Sequence, residues 1–149
     1  MQGLIQRVKH AKVEVNNQVI GQIEQGILLL LGVEKADDKG AADKLLHKVS
    51  NYRIFTDEND KMNLSLKDMG GELLVVSQFT LAANTKKGMR PSFSSAATPS
   101  QANALYEYFV DQAKAQGIIV ATGEFGADMK VALLNDGPVT IIIDSKVRE

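Results

Sequence analysis

Two uninterrupted apolar runs interrupt an otherwise alternating chain. The first, Ile27-Leu28-Leu29-Leu30-Leu31-Gly32-Val33, has no polar face, which predicts a strand buried on both sides. The second, Leu73-Leu74-Val75-Val76, lies within residues 72–79 and predicts another buried strand, entered through Gly70-Gly71. Residues 3–10 alternate, with Leu4, Gln6 and Val8 on one face, and residues 12–20 alternate through Val13 and Val15 with a turn at Asn16-Asn17. Two other segments carry the helical period. Ala42, Leu45, Leu46 and Val49 share one face behind a cap at Asp37 or Asp38. Ala102, Leu105, Tyr106, Phe109, Val110 and Ala113 form the stripe of a second helix. Thr98 caps that helix, Pro99 takes its first position, Gln101 completes a capping box and Gly117 ends it. Residues 53–56 read as a short strand, 57–61 as a solvated turn, and 118–122, 130–135 and 139–144 as three closing strands. Residues 82–98 show no period and read as a long exposed loop.

The helices are too few and too far apart for regular βαβ alternation, and no repeat, low-complexity segment or linker divides the chain. The predicted fold is α/β, one domain over residues 1–149. Its sheet is mixed, mostly antiparallel and curled (barrel-like), with two main helices packed on it. Net charge is −1, so contact with a polyanion requires a local basic patch. The sequence has no cysteine, which removes disulfides, thiolate nucleophiles and zinc–thiolate sites. The N-terminus lacks the apolar stretch of a signal peptide, and residues 27–33 are too short to span a bilayer. A cytoplasmic protein without membrane contact is expected.

Catalytic groups are sparse. His10 and His47 are the two imidazoles, and both read as surface residues beside lysines. No metal-ligand spacing, dinucleotide fingerprint or phosphate-binding loop occurs, so neither a metal nor a cofactor is expected. Two segments remain. Ser77-Gln78-Phe79-Thr80-Leu81 ends an apolar run, and Asn135-Asp136-Gly137-Pro138-Val139-Thr140 opens one. Each sets polar side chains and backbone groups where a buried strand meets a loop. Backbone N–H groups at the first could hold an oxyanion; equally, Ser77 and Thr80 could simply cap the loop backbone. A Thr80 nucleophile would need an adjacent base, and the sequence offers none. Gly137-Pro138 reads as a simple turn or as a point of close backbone approach.

These stretches, with Met89-Arg90-Pro91-Ser92-Phe93, Ile5-Gln6-Arg7-Val8 and Phe125-Gly126-Ala127-Asp128-Met129, closely resemble the D-aminoacyl-tRNA deacylases of the bacterial and eukaryotic type, over essentially the whole chain. The resemblance implies an aminoacyl-tRNA ester hydrolase and a homodimer with its active sites at the subunit interface. In that arrangement Ser77, Gln78, Phe79 and Thr80 of one subunit line a pocket. Gly137-Pro138 of the other enters it through a cis bond. Phe125 and Met129 contact the terminal adenine, and Arg7 holds the Gly-Pro element. Amides at Phe79 and Thr80 then stabilise the oxyanion, and the ribose 2′-hydroxyl of the tRNA assists the attack. The Gly-Pro carbonyls exclude L side chains but not hydrogen, so activity extends to glycine mischarged on alanine tRNA. Lys86, Lys87 and Arg90 are the candidate tRNA contacts, with Arg7, Lys9 and Lys12 next. The competing readings are a related deacylase with a trans Gly-Pro and relaxed chirality, a non-catalytic module that binds RNA 3′ ends, and, more distantly, a metal hydrolase.

Overall fold

A computed structural model of the protein describes residues 1–146. Its first strand, β1 (Gln2–Val15), is continuous through the break expected near residue 11. Ala11 is buried like Val8 and Val13 and carries the apolar face across it. Asn16 and Asn17 take positive φ (51° and 64°) and form the expected turn, which leads the chain into β2 (Gln18–Ile23), so residues 12–20 span the two arms of a hairpin. There follow β3 (Gly26–Gly32), α1 (Lys39–Asn51), a small hairpin of β4 (Phe55–Thr56) and β5 (Met62–Leu64), the short α2 (Leu66–Met69) and β6 (Glu72–Ser77). A 3₁₀ turn (Phe79–Ala82), α3 (Pro99–Ala115), β7 (Ile119–Thr122) and β8 (Lys130–Asp144) complete the order.

The sheet runs β2-β1-β3-β6-β7, with β8 paired along β1. Residues 2–8 of β1 pair with both β3 and β8, so these two occupy its opposite edges. The pairs made by β1 are antiparallel, whereas β3–β6 and β6–β7 are parallel. The sheet curls until β2 meets β7. A Cβ at Gly21 would lie 2.1 Å from the Thr122 carbonyl oxygen, so only glycine permits that approach. The result is a nearly closed, barrel-like mixed sheet, as the sequence pattern predicts.

Both sheet faces are covered, which explains the unbroken apolar runs in β3 and β6. Ile27, Leu29, Leu31, Leu73 and Val75 face α1 and α3, packing with Leu45, Leu46, Phe109 and Val110. Leu28, Leu74 and Val76 face the barrel interior with Val8, Val13 and Ile23. The helix stripes are as predicted: α3 buries all six residues of its apolar face, and α1 buries Ala42, Leu45, Leu46 and Val49.

The caps differ in detail. Asp38 caps α1 by accepting from the Ala41 amide. Asp37 instead binds the Met1 α-ammonium at 2.6 Å. Thr98 caps α3, but the Gln101 amide side chain donates to the Lys35 and Asp37 carbonyls (2.9 and 3.2 Å), which ties α3 to the loop before α1. A complete capping box sits elsewhere, at Ser65 and Asp68 of α2. No helix among the described residues is long and apolar enough to cross a membrane.

Candidate active site

The polar segment after β6 is shaped by β3. Ser77 is the last residue of β6 and pairs with Leu31, whose carbonyl accepts from the Gln78 amide at 2.8 Å. The expected strand 72–79 therefore stops two residues early, and Phe79 opens the 3₁₀ turn. Gly32 lets this turn fold back onto β3, since a Cβ there would sit 3.0 Å from Leu81 Cβ. The first amides of such a turn have no acceptor within it. Among the described residues the Phe79 and Thr80 amides donate to none. The Gln78 side-chain amide donates to Thr80 Oγ1.

These residues border a cavity of about 600 Å³, the size of a typical small-ligand site. One wall is Ser77, Gln78 and Phe79; Phe93 faces it, its ring edge-on to Phe79 at 5.0 Å. Phe125 and Met129, between β7 and β8, form another wall, and Val76 and Val131 the floor. Pro99 and Ala102 close the side at the start of α3. Tyr106 backs the aromatic wall. Its ring lies 6.1 Å from Phe125 and its hydroxyl donates to the Val75 carbonyl at 2.8 Å. Burial pushes its phenol up to about 12, so it remains a neutral donor at physiological pH. Among the described residues, Asp128 is the one titratable residue lining the cavity. No cluster of three or more His, Asp or Glu suited to a metal occurs among the described residues.

The second signature segment lies elsewhere on the sheet. β8 is one strand and not the two expected, yet it is interrupted in the middle. Gln6 pairs with Thr140 and Val8 with Asn135, so the single residue Arg7 faces four: Asp136, Gly137, Pro138 and Val139. The surplus residues are pushed outward, and Gly137 and Pro138 are exposed. Arg7 fills the gap from within. Its Nε donates to the Asp136 carbonyl at 2.8 Å and its Nη1 to the Ile54 carbonyl at 2.6 Å. Gly137 has φ 140°, and a Cβ on it would lie 2.9 Å from the Val139 amide nitrogen. The Gly137–Pro138 peptide is cis, the isomer the resemblance implies.

The structure thus gathers Ser77, Gln78, Phe79, Phe125 and Met129 around one cavity, with Thr80 attached through Gln78. Arg7, Gly137 and Pro138 form a separate group in the same chain. Because β8, β1, β3 and β6 are successive strands, Arg7 sits two strands from Ser77, and Gly137 and Pro138 three, roughly 14 Å across the sheet. Lys86, Lys87 and Arg90 are exposed on the following loop, and His10, His47, Lys9 and Lys12 stand outside the cavity. Sequence reasoning placed Phe93 in a signature stretch without a role at the site, and read Pro99 as a helix start and Ala102 as part of its apolar face, not as cavity lining. Phe93 is the one aromatic residue of the loop over residues 82–98, but only the fold shows that it faces Phe79.

Residues 4–144 match the family model described as D-Tyr-tRNA(Tyr) deacylase. A relative described as D-aminoacyl-tRNA deacylase from Pseudoalteromonas translucida (strain TAC 125) is 85% identical over 94% of this chain and 97% of its own length. One of the same description from Stutzerimonas stutzeri (strain A1501) is 61% identical over 97% of this chain and 100% of its own length. Among solved structures, the c-Myc DNA Unwinding Element Binding Protein superposes with a TM-score of 0.93 at 37% identity, covering 99% of this chain and 100% of that one. A structure described as a probable eukaryotic D-amino acid tRNA deacylase superposes with a TM-score of 0.83, covering 96% and 98%; at 18% identity it speaks to the fold alone.

Proposed function

The chain belongs to the D-Tyr-tRNA(Tyr) deacylase family, and on that premise we propose that it hydrolyses the ester joining a D-amino acid to the 3′ end of tRNA. The observation that carries the mechanism is the cavity, bordered by the strand end Ser77, Gln78 and Phe79, where the amides of Phe79 and the adjoining Thr80 donate to no acceptor among the described residues. The terminal adenosine rests against Phe125 and Met129, an aromatic ring and a polarizable thioether suited to a purine face. Water adds to the ester carbonyl carbon, and negative charge grows on the carbonyl oxygen. The C–O bond to the ribose then breaks, and the proton lost by water ends on the departing ribose oxygen. The Phe79 and Thr80 amides stabilise the oxyanion, and the vicinal 2′-hydroxyl assists the attack. This route requires no side-chain base, which suits a cavity where Asp128 is the sole titratable lining residue among those described.

Handedness is read by a second copy. In a homodimer, Gly137 and Pro138 of one copy enter the cavity of the other and occupy the space an L side chain would need. Exclusion by clash discriminates strongly but spares glycine, so glycyl-tRNA(Ala) is also cleaved. The outward displacement of Gly137 and Pro138, and Arg7 behind them, support this role. Lys86, Lys87 and Arg90 meet the tRNA phosphates, and the protein acts in the cytoplasm with aminoacyl-tRNA. The test is hydrolysis of D-Tyr-tRNA beside L-Tyr-tRNA. Release of D-tyrosine with the L ester spared is expected. Equal cleavage of both removes the chiral filter, and binding without cleavage leaves an RNA-end binder. A substrate with a 2′-deoxy terminal ribose separates the remaining step, because undiminished turnover excludes hydroxyl assistance.

A further inference from the structure

Between Glu72 and Glu107 the chain contains no acidic residue, and its charged residues there are Lys86, Lys87 and Arg90. This stretch is therefore net +3 within a chain of net −1, and it supplies the Ser77, Phe79, Phe93 and Pro99 borders of the cavity. The three cations fall within five residues at the tip of a loop with a pinned base. Asn84 and Ser92 exchange backbone hydrogen bonds of 2.7 and 3.1 Å, and Asn84 Oδ1 accepts from the Lys86 amide at 3.0 Å. Gly88 turns the tip at φ 66°. Immediately after Ser92 the chain reaches Phe93, on the cavity wall. At the tip, between Lys87 and Arg90, Met89 is 100% exposed.

A single exposed apolar side chain is ordinary; one presented by a turn among three cations, beside a cavity, has a surface suited to RNA. We propose that the 86–90 tip grips the single-stranded nucleotides that precede the terminal adenosine: Lys86, Lys87 and Arg90 meet phosphates and Met89 lies on a base face. The assignment rests on the reading of the cavity as the adenosine site. Phe93 and Met89 are four residues apart, at most about 14 Å of chain, so a strand leaving the cavity passes the tip within a few nucleotides. Phosphate contacts fix such a strand, while stacking holds it without reading its sequence. A methionine suits the second task because its thioether is polarizable and flexible. A second copy of this chain is the less fitting occupant, because a two-fold contact through the tip sets the same three cations of each copy against one another.

The experiment compares kcat/KM on D-Tyr-tRNA with that on 3′-O-(D-tyrosyl)adenosine, which ends at the cavity. For Met89→Ala the ratio of the two falls several-fold, up to about ten-fold, through KM for the tRNA, in keeping with loss of one thioether–base contact. Met89→Leu keeps most of the ratio. Lys86→Ala with Lys87→Ala flattens the salt dependence of KM for the tRNA, whereas Met89→Ala leaves that slope in place. An unchanged ratio in Met89→Ala overturns the proposal, whether or not both rates fall together. So does a loss accompanied by dissociation of a dimer in sedimentation, which assigns Met89 to a contact between copies. If the wild-type protein cleaves neither ester, the functional reading fails and this one with it. If it cleaves both and Met89 is inert, the loop assignment alone is wrong.

Discussion

Arg7 illustrates what one side chain can hold in place. It stands alone on β1 opposite four residues of β8, and its guanidinium reaches two carbonyls far apart in sequence, Asp136 on β8 and Ile54 in the connection before β4. Lysine carries a point charge without the planar fork and cannot serve both acceptors in the same geometry. Arg7→Lys should therefore loosen the Gly137–Pro138 projection. The expected result is a fall in the D-over-L rate ratio with tyrosyl-tRNA and a stability loss of about 1–3 kcal/mol in urea unfolding, the usual cost of leaving a buried carbonyl unpaired. The two histidines have the opposite standing. His10 and His47 are exposed and border no part of the main cavity, so His10→Asn with His47→Asn should change kcat less than about two-fold. At this scale the sequence named candidate residues and was silent about where they stand. Arg7 and Gly137 are distant in sequence, and only strand pairing brings them together.

Among the elements, those with a long regular period were readable and those made by local capping were not. The stripe of α3 and the double-sided runs in β3 and β6 emerged from hydrophobic spacing alone, because burial enforces it. The α2 turn and β5 are too short to carry a period. Their signal was the pair Ser65 and Asp68, three residues apart, each side chain accepting from the other's amide (3.1 and 2.9 Å). Ser65→Ala should cost about 1 kcal/mol and speed amide exchange over residues 66–71. Backbone and side-chain hydrogen bonds from Ser65 hold the Asp68 carboxyl below the usual carboxylate range. Its folded value thus lies below its unfolded one. The cap's contribution is present above the ordinary carboxylate value and is lost as pH falls through the folded one. Exchange over the same residues should accelerate in acid for the wild-type protein, and less so for Asp68→Asn. The break in β8 eluded the sequence in another way. Alternation resumes on both sides of Gly137-Pro138, so two strands were expected where one strand bulges.

In the whole molecule the curled sheet was legible from the scarcity of helices, whereas strand order was not, because pairing is decided by contacts between residues far apart in sequence. The single chain also keeps its two signature segments three strands apart, so the proposed site requires residues from two copies. Gln78→Ala damages the cavity and Gly137→Ala the projection, where the added Cβ would crowd the Val139 amide. Each variant alone should lack D-selective hydrolysis. Mixed under conditions that exchange subunits, they should regain it, since each hybrid dimer has one cavity and one projection intact. A mixture no more selective than its parts places the whole site within one copy.

The outward bulge has a consequence for solubility. β8 pairs along one edge only among the described residues, and Leu134 and Ile142 on it are exposed at 50% and 76%. A flat edge of that length is a template for stacking strand upon strand into fibrils. Four residues set against one break this edge into two short pieces, and Pro138, lacking an amide hydrogen, offers no donor at the break. The segment proposed to sort substrates also guards the chain against runaway self-assembly.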